Sequence, residues 1–298
     1  MKAIKFLALM LVSLLSMTAC LNDDDDTPKL IIDPVDGLQG YIFVSSGFFT
    51  DSYYGDHAQL SIREENGQWT VLFQDPQWGK ATFENVKIDM PHFSYVASGT
   101  GTLVMKDLHS GTESSYDATI SGDVTNPTIT AQIGKMGTVT IQFFAGPASE
   151  ACKLHGNYKG TNSVIVGNDM TGTYGPYTAD ITCKVTATPD NTLNVEIPEY
   201  VLNDTQIGNL TLGKVTIKSV YYDSANDRFF RPYGKLDKLT MHFNSDMMNS
   251  DTDAPFTEDS EIEVKITETG IKIINTFRVG VMPFPIVATF EGTLVSGI

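Results

Sequence analysis

The residue types able to do chemistry are spread thinly and irregularly along this chain. Its five histidines, His57, His92, His109, His155 and His242, include no two at a spacing that would set both imidazoles on one metal ion. No Gly-x-Ser-x-Gly nucleophile elbow, no phosphate-cradling glycine loop and no thiol redox pair occur. Carboxylates are plentiful, and two of them from distant loops would suffice for glycoside hydrolysis, but abundance does not single out a pair. The run Asp246-Met247-Met248-Asn249-Ser250-Asp251-Thr252-Asp253, with Glu258 and Asp259 beyond it, could gather oxygens around calcium. It lacks the spacing and glycine of an EF-hand loop and reads as a solvated connection. The expectation is a chain with no catalytic residue, no cofactor and no metal.

The three cysteines have different fates. Cys20 follows Met17-Thr18-Ala19, small residues behind a short apolar run, Phe6 to Leu15, and a basic start at Lys2 and Lys5. Such a stretch is too short for a permanent span and has the parts of a signal peptide, residues 1–19. The residues before Cys20 resemble a lipobox, so Cys20 is expected to carry lipid and become the first residue of the mature chain. Cys152 and Cys183 would then sit in a compartment that permits disulfides. A bridge between them would close a loop of about thirty residues and contribute about 3 kcal/mol if unstrained. Cys183 also lies on the apolar parity of a strand with Ile181 and Val185, where a buried thiol is the usual state. Both readings stay open on sequence alone.

Aromatic residues gather in two stretches, Phe48-Phe49 with Tyr53-Tyr54, and Phe229-Phe230 with Tyr233. Adjacent aromatics on one strand cannot both enter a core, so some of each set should be exposed as a contact surface or should cover a barrel end.

Asp23 to Asp26 follow the lipidation site, and four adjacent carboxylates stay solvated, so residues 20–36 are expected to form a tether. The formal charge is −16, and loss of Lys2 and Lys5 with the signal peptide takes it to −18. Such a surface repels phosphate backbones and argues against nucleic acid as a partner.

What must position these residues is β-structure. Apolar side chains recur at every second residue in Ala58/Leu60/Ile62, Trp69/Val71/Phe73, Ile129/Ala131/Ile133, Val139/Ile141/Phe143, Leu193/Val195/Ile197 and Ile262/Val264/Ile266, with polar residues between them. No long segment has a helical apolar period. The two halves also match in order: residues 81–88 align with residues 210–217, and both change apolar parity at the same step, from Phe83 to Val86 and from Leu212 to Val215. A parity switch within a strand implies a bulge or bend, the device that curves a sheet into a barrel. Two tandem copies joined near Gly146-Pro147-Ala148-Ser149 follow, residues 37–150 and 151–298, each of about eight strands.

The lipobox, the acidic tether, the opening Gly156-Asn157-Tyr158-Lys159-Gly160 and the closing strand that ends at Gly292 resemble the calycin-like β-barrel lipoproteins of the Bacteroidota. The first copy keeps only Gly40-Tyr41-Ile42-Phe43 where the opening glycines should be. Gly67-Gln68-Trp69 has the letters of the lipocalin first-strand motif but follows an earlier strand. The resemblance implies two antiparallel calycin-like barrels on an outer-membrane lipid anchor, facing the cell exterior. The expected function is non-catalytic binding of a small apolar ligand, a glycan or a protein partner. An envelope glycan hydrolase and a structural or assembly subunit are the alternatives. Inward Trp69, Phe73, Phe83 and Phe143 should fill the first interior. The second, with Ala179, Val185 and Val195 facing in, is the better candidate for a cavity.

Overall fold

The computed structural model describes residues 35–89, 95–106, 110–168, 172–245, 247, 250–280, 282 and 284–295. The expected signal peptide, Cys20 and the aspartate run, together with His92, His109, Asp246, Met248 and Asn249, lie outside the described residues. No helix among the described residues is long and apolar enough to cross a membrane. The chain is all-β and builds two closed antiparallel barrels of eight strands. By contact it divides after Pro147, with Asp51–Tyr53 grouped with the second unit.

The first barrel runs up and down through β1 (Val35–Ser45), β3 (Ala58–Glu65), β4 (Gln68–Asp75), β5 (Gly79–Asp89), β6 (Val96–Lys106), β7 (Glu113–Asp123), β8 (Asn126–Ile133) and β9 (Gly137–Ala145), with the two-residue β2 (Ser52–Tyr53) beside β1. Asn66 and Gly67, both at positive φ, make the two-residue turn between β3 and β4, the conformation that matches strand twist. Closure happens at Gly40, which pairs with Ala58 on one side and Ala145 on the other. A Cβ there would run into the Phe144 carbonyl and the Phe143 ring, so only glycine lets the strand pass from one neighbour to the next.

The parity switch in β5 is a bulge. Asn85 adopts φ +54° and the pairing with β6 shifts between Phe83 and Lys87, so Phe83 and Val86 both enter the core. Inside, Phe73, Phe83 and Phe143 are fully buried and Trp69 nearly so; the Phe73 and Phe143 rings meet edge to face at 6.4 Å. Aromatic volume fills this interior, as the inward residues implied.

The second barrel has the order β10 (Gly156–Asn168), β11 (Gly172–Ala187), β12 (Thr192–Ile197), β15 (Val215–Asp223), β16 (Arg228–Pro232), β19 (Glu261–Ile266), β20 (Ile271–Phe277) and β21 (Ile286–Leu294), closed by β10 against β21. The opening and closing glycines meet directly in that seam, Gly160 opposite Gly292, and a Cβ on Gly160 would collide with the Glu291 carbonyl. Four further strands, β13 (Tyr200–Thr205), β14 (Gly208–Leu212), β17 (Thr240–Ser245) and β18 (Ser250–Pro255), form a sheet of their own. The breaks that separate them from the barrel strands fall at Pro198 and Gly213 and directly after Pro232 and Pro255, the last residues of β16 and β18. Proline has no N–H for the ladder, so pairing stops there and the chain turns. The parity switch shared with the first copy is here a complete strand break: Leu212 ends β14, Val215 starts β15, and both are buried.

Candidate functional site

The second barrel opens into a cavity of about 600 Å³. Four hairpin ends line it: Val166, Tyr174 and Tyr177 from β10 and β11, Thr205 to Ile207 and Leu210 from the β13–β14 turn, Phe243, Thr252 and Ala254 from β17 and β18, and Val279, Gly280, Met282, Phe284 and Ile286 from the β20–β21 connection. The Tyr174 and Phe284 rings stand edge to face at 6.3 Å, and Tyr174 is partly exposed. Among the described residues, every lining side chain is uncharged. The volume lies within the range of sites that hold small molecules.

The cavity has a floor. Moving down β21, Ile286 lines the cavity, whereas Ala288 and Phe290 lie deeper; on β17, Phe243 lines it and Met241 lies below. The deeper interior is packed and leaves only about 10 Å³ among Asn162, Cys183, Tyr200, Asn275 and their neighbours. Of the polar groups here, the Tyr233 hydroxyl donates to Asn275 Oδ1 at 2.8 Å, whereas Asn162 Nδ2 is buried without a hydrogen-bond partner among the described residues. Burial raises the hydroxyl pKa of Tyr200 and Tyr233, so they stay neutral donors. The deep barrel is thus closed to ligands, and binding space is confined to the mouth.

The expected inward residues do not make this cavity. Val185 and Val195 are fully buried and Ala179 is half-buried, yet none of the three lines it. The space arises where the short strands diverge beyond the proline breaks, a feature that alternation along single strands does not reveal.

Of the seven residues in the two aromatic stretches, two are buried, four are half-buried and one is exposed. Phe229 and Tyr233 are buried, and Phe230, on the opposite face of β16, is half-covered by the Arg228 guanidinium at 4.6 Å. Phe49 and Tyr54 pack on each other and on Trp78, with ring centres 5.1–6.3 Å apart. Tyr53 stands edge to face with His155 at 5.5 Å. Phe48 alone of the seven is largely exposed, at 72%. Strand alternation on β16 sends Phe229 inward and Phe230 outward, while ring contacts partly cover Phe49, Tyr53 and Tyr54.

Cys152 and Cys183 are two buried thiols that are not joined to each other, so the disulfide alternative is set aside. Cys152 lies in a one-turn helix, Glu150–Lys153, and takes a hydrogen bond from Ser149 Oγ at 3.2 Å. Cys183 faces the barrel interior, where burial pushes its pKa up to about 12 and keeps it protonated and unreactive at neutral pH. His242 sits between Asp251 and Asp253, at 3.2 and 3.1 Å, on the exposed side of β17. Among the described residues no three metal-ligating side chains converge.

His155 is the one histidine with a structural hydrogen bond to the backbone among those described here: the Ala187 N–H donates to its Nδ1 at 3.3 Å. Burial, and then the charge of Lys184, lower its pKa below 6.5. The unfolded chain therefore takes up this proton first on acidification. The stability it contributes is present above the unfolded pKa of about 6.5 and is lost as pH falls below it. Denaturation midpoints measured from pH 7.5 to pH 5, values of order set by that ~6.5 reference, should fall toward acid, and His155→Gln should flatten the slope. An unchanged slope in the variant would show that His155 is not its source.

With the geometry in view, comparisons with known proteins place the fold. Residues 154–293 match the family model described as Calycin-like beta-barrel domain. The crystal structure of a candidate outer membrane protein from Bacteroides fragilis is similar across 87% of this chain and 96% of that one, with a TM-score of 0.53 and 22% identity. That likeness extends the shared architecture over both halves, as a matter of fold. No curated protein matches the chain.

Proposed function

We infer that this is a non-catalytic binding protein of the bacterial envelope, anchored to the outer membrane through lipid on Cys20, whose second barrel takes up a small apolar molecule at its mouth. The cavity of about 600 Å³ with its uncharged lining carries the reading. Removing an apolar ligand from water into such a space is favourable in proportion to the area covered, and neutral groups at the rim can orient it. The calycin-like match over residues 154–293 covers the barrel that holds the cavity. The signal peptide, lipobox and aspartate tether support the anchor, and the Bacteroides fragilis relative in fold is in keeping with an envelope setting. Among the described residues no pair of carboxylates lines the cavity, whereas the glycan hydrolase reading would need one.

The test is native mass spectrometry on the chain from Thr27 onward, which contains both barrels, purified gently from its own host. A bound species on the order of a few hundred daltons, the size such a pocket accommodates, is the expected result. Protein that is clean by mass and also fails to bind the neutral dye N-phenyl-1-naphthylamine would overturn the reading.

A further inference from the structure

The mouth of the second barrel has a charge pattern that bears on what enters it. Residues 166–177, 204–210, 243–254 and 279–286, the four segments that supply the lining, contain no lysine, arginine or histidine. The described residues of the same segments include three aspartates, Asp204, Asp251 and Asp253, none of which lines the cavity. The nearest basic residues along the chain are Arg278, which precedes the lining residue Val279 and is bound to Asp259, and His242, which precedes Phe243 and lies between Asp251 and Asp253 on the exposed side of β17. Lys214, Lys265 and Lys272 are likewise committed, to Glu196, Glu263 and Glu291.

Within the cavity, Thr205 has its hydroxyl occupied, donating to the Gly208 carbonyl at 2.6 Å and accepting from the Ile207 N–H at 3.2 Å. The polar groups left for a ligand are the side chains of Gln206, Thr252, Tyr174 and Tyr177, all neutral. A carboxylate or phosphate drawn into this site would lose water without meeting a cation among the described lining residues. A hydroxyl, a carbonyl or an ammonium group left at the rim meets no such obstacle.

We propose that the second barrel selects apolar molecules that carry no negative charge, neutral or cationic at their polar end, and rejects fatty acids and other anionic amphiphiles. This rests on the binding function inferred above and adds the charge class of the ligand.

The experiment uses one apolar body with three head groups. Dodecan-1-ol, dodecylammonium and dodecanoate compete at neutral pH against N-phenyl-1-naphthylamine bound to the chain from Thr27 onward. The alcohol and the ammonium should displace the dye at concentrations at least about tenfold below dodecanoate. Displacement by dodecanoate as effective as by the alcohol would overturn the charge inference while leaving the pocket intact. Absence of dye binding would instead remove the binding reading on which the inference stands. Thr252→Lys should restore dodecanoate competition, with Gln206→Lys as a second variant if the first does not fold. A well-folded lysine variant that still excludes dodecanoate would also overturn the proposal.

Discussion

Ala254→Trp should lower the affinity for N-phenyl-1-naphthylamine by about a hundredfold or more, equivalent to about 2.7 kcal/mol of binding free energy. Ala254 lies on β18 at the cavity wall, close to the φ-positive Gly280 on the opposite connection. An indole placed there occupies the volume that a ligand would need, and the cavity has no second chamber to offer because the floor beneath is packed. The side chain is half-buried and at the open end, so the larger residue has room to settle without disturbing the seam between β10 and β21. Dye titration, with circular dichroism to verify the fold, checks the result. Unchanged affinity would mean that the dye binds elsewhere.

Phe143→Ala should destabilise the first barrel by about 3–5 kcal/mol, the usual cost of deleting a buried aromatic side chain without collapse of the surrounding core. Phe143 is fully buried on β9, meets Phe73 edge to face, and lies against Gly40 where the barrel closes. Its neighbour Phe144 faces the other way and stacks on Tyr41 at 5.2 Å while remaining half-exposed, so Phe144→Ala should cost distinctly less. The chain's two tryptophans, Trp69 and Trp78, both belong to the first unit, so urea denaturation followed by tryptophan fluorescence reads this barrel. Equal losses for the two alanine variants would show that the inward and outward assignment on β9 is wrong.

Much of the architecture was legible because strand periodicity is local. Trp69/Val71/Phe73 and Val139/Ile141/Phe143 announce inward faces at every second residue, and those side chains are buried. The shared parity switch at Phe83/Val86 and Leu212/Val215 marked a bend in both halves, and each half has one. It did not say that one copy would bulge while the other would break. That difference depends on whether the neighbouring strands keep pairing through the irregularity: β4 and β6 continue along β5, whereas Gly213 bonds the His242 carbonyl in a different sheet.

The candidate site was less legible. That the second barrel would hold the cavity followed from its smaller inward residues, but the residues named for it, Ala179, Val185 and Val195, lie elsewhere. The lining comes from four hairpin ends separated by up to 120 positions, from Val166 to Ile286, and nothing in their individual spacing ties them together. Tyr233 shows the same limit: the sequence left it between an exposed contact and a barrel-end cover, and only the fold supplies Asn275, 42 residues away, as a buried partner for its hydroxyl.

By itself the sequence determined the all-β class, the two barrels, the aromatic filling of the first and the acidic character of the chain. These are properties of residue type and of spacing along one strand, which local sterics and burial translate directly into structure. The tertiary structure alone decided that Cys152 and Cys183 stay apart, that Phe229 and Tyr233 are the buried members of the clustered aromatics, and that a cavity with an uncharged described lining opens at one end of the second barrel. Each of those depends on which distant segments meet, and that is set by strand register and by the proline breaks acting together across the whole sheet.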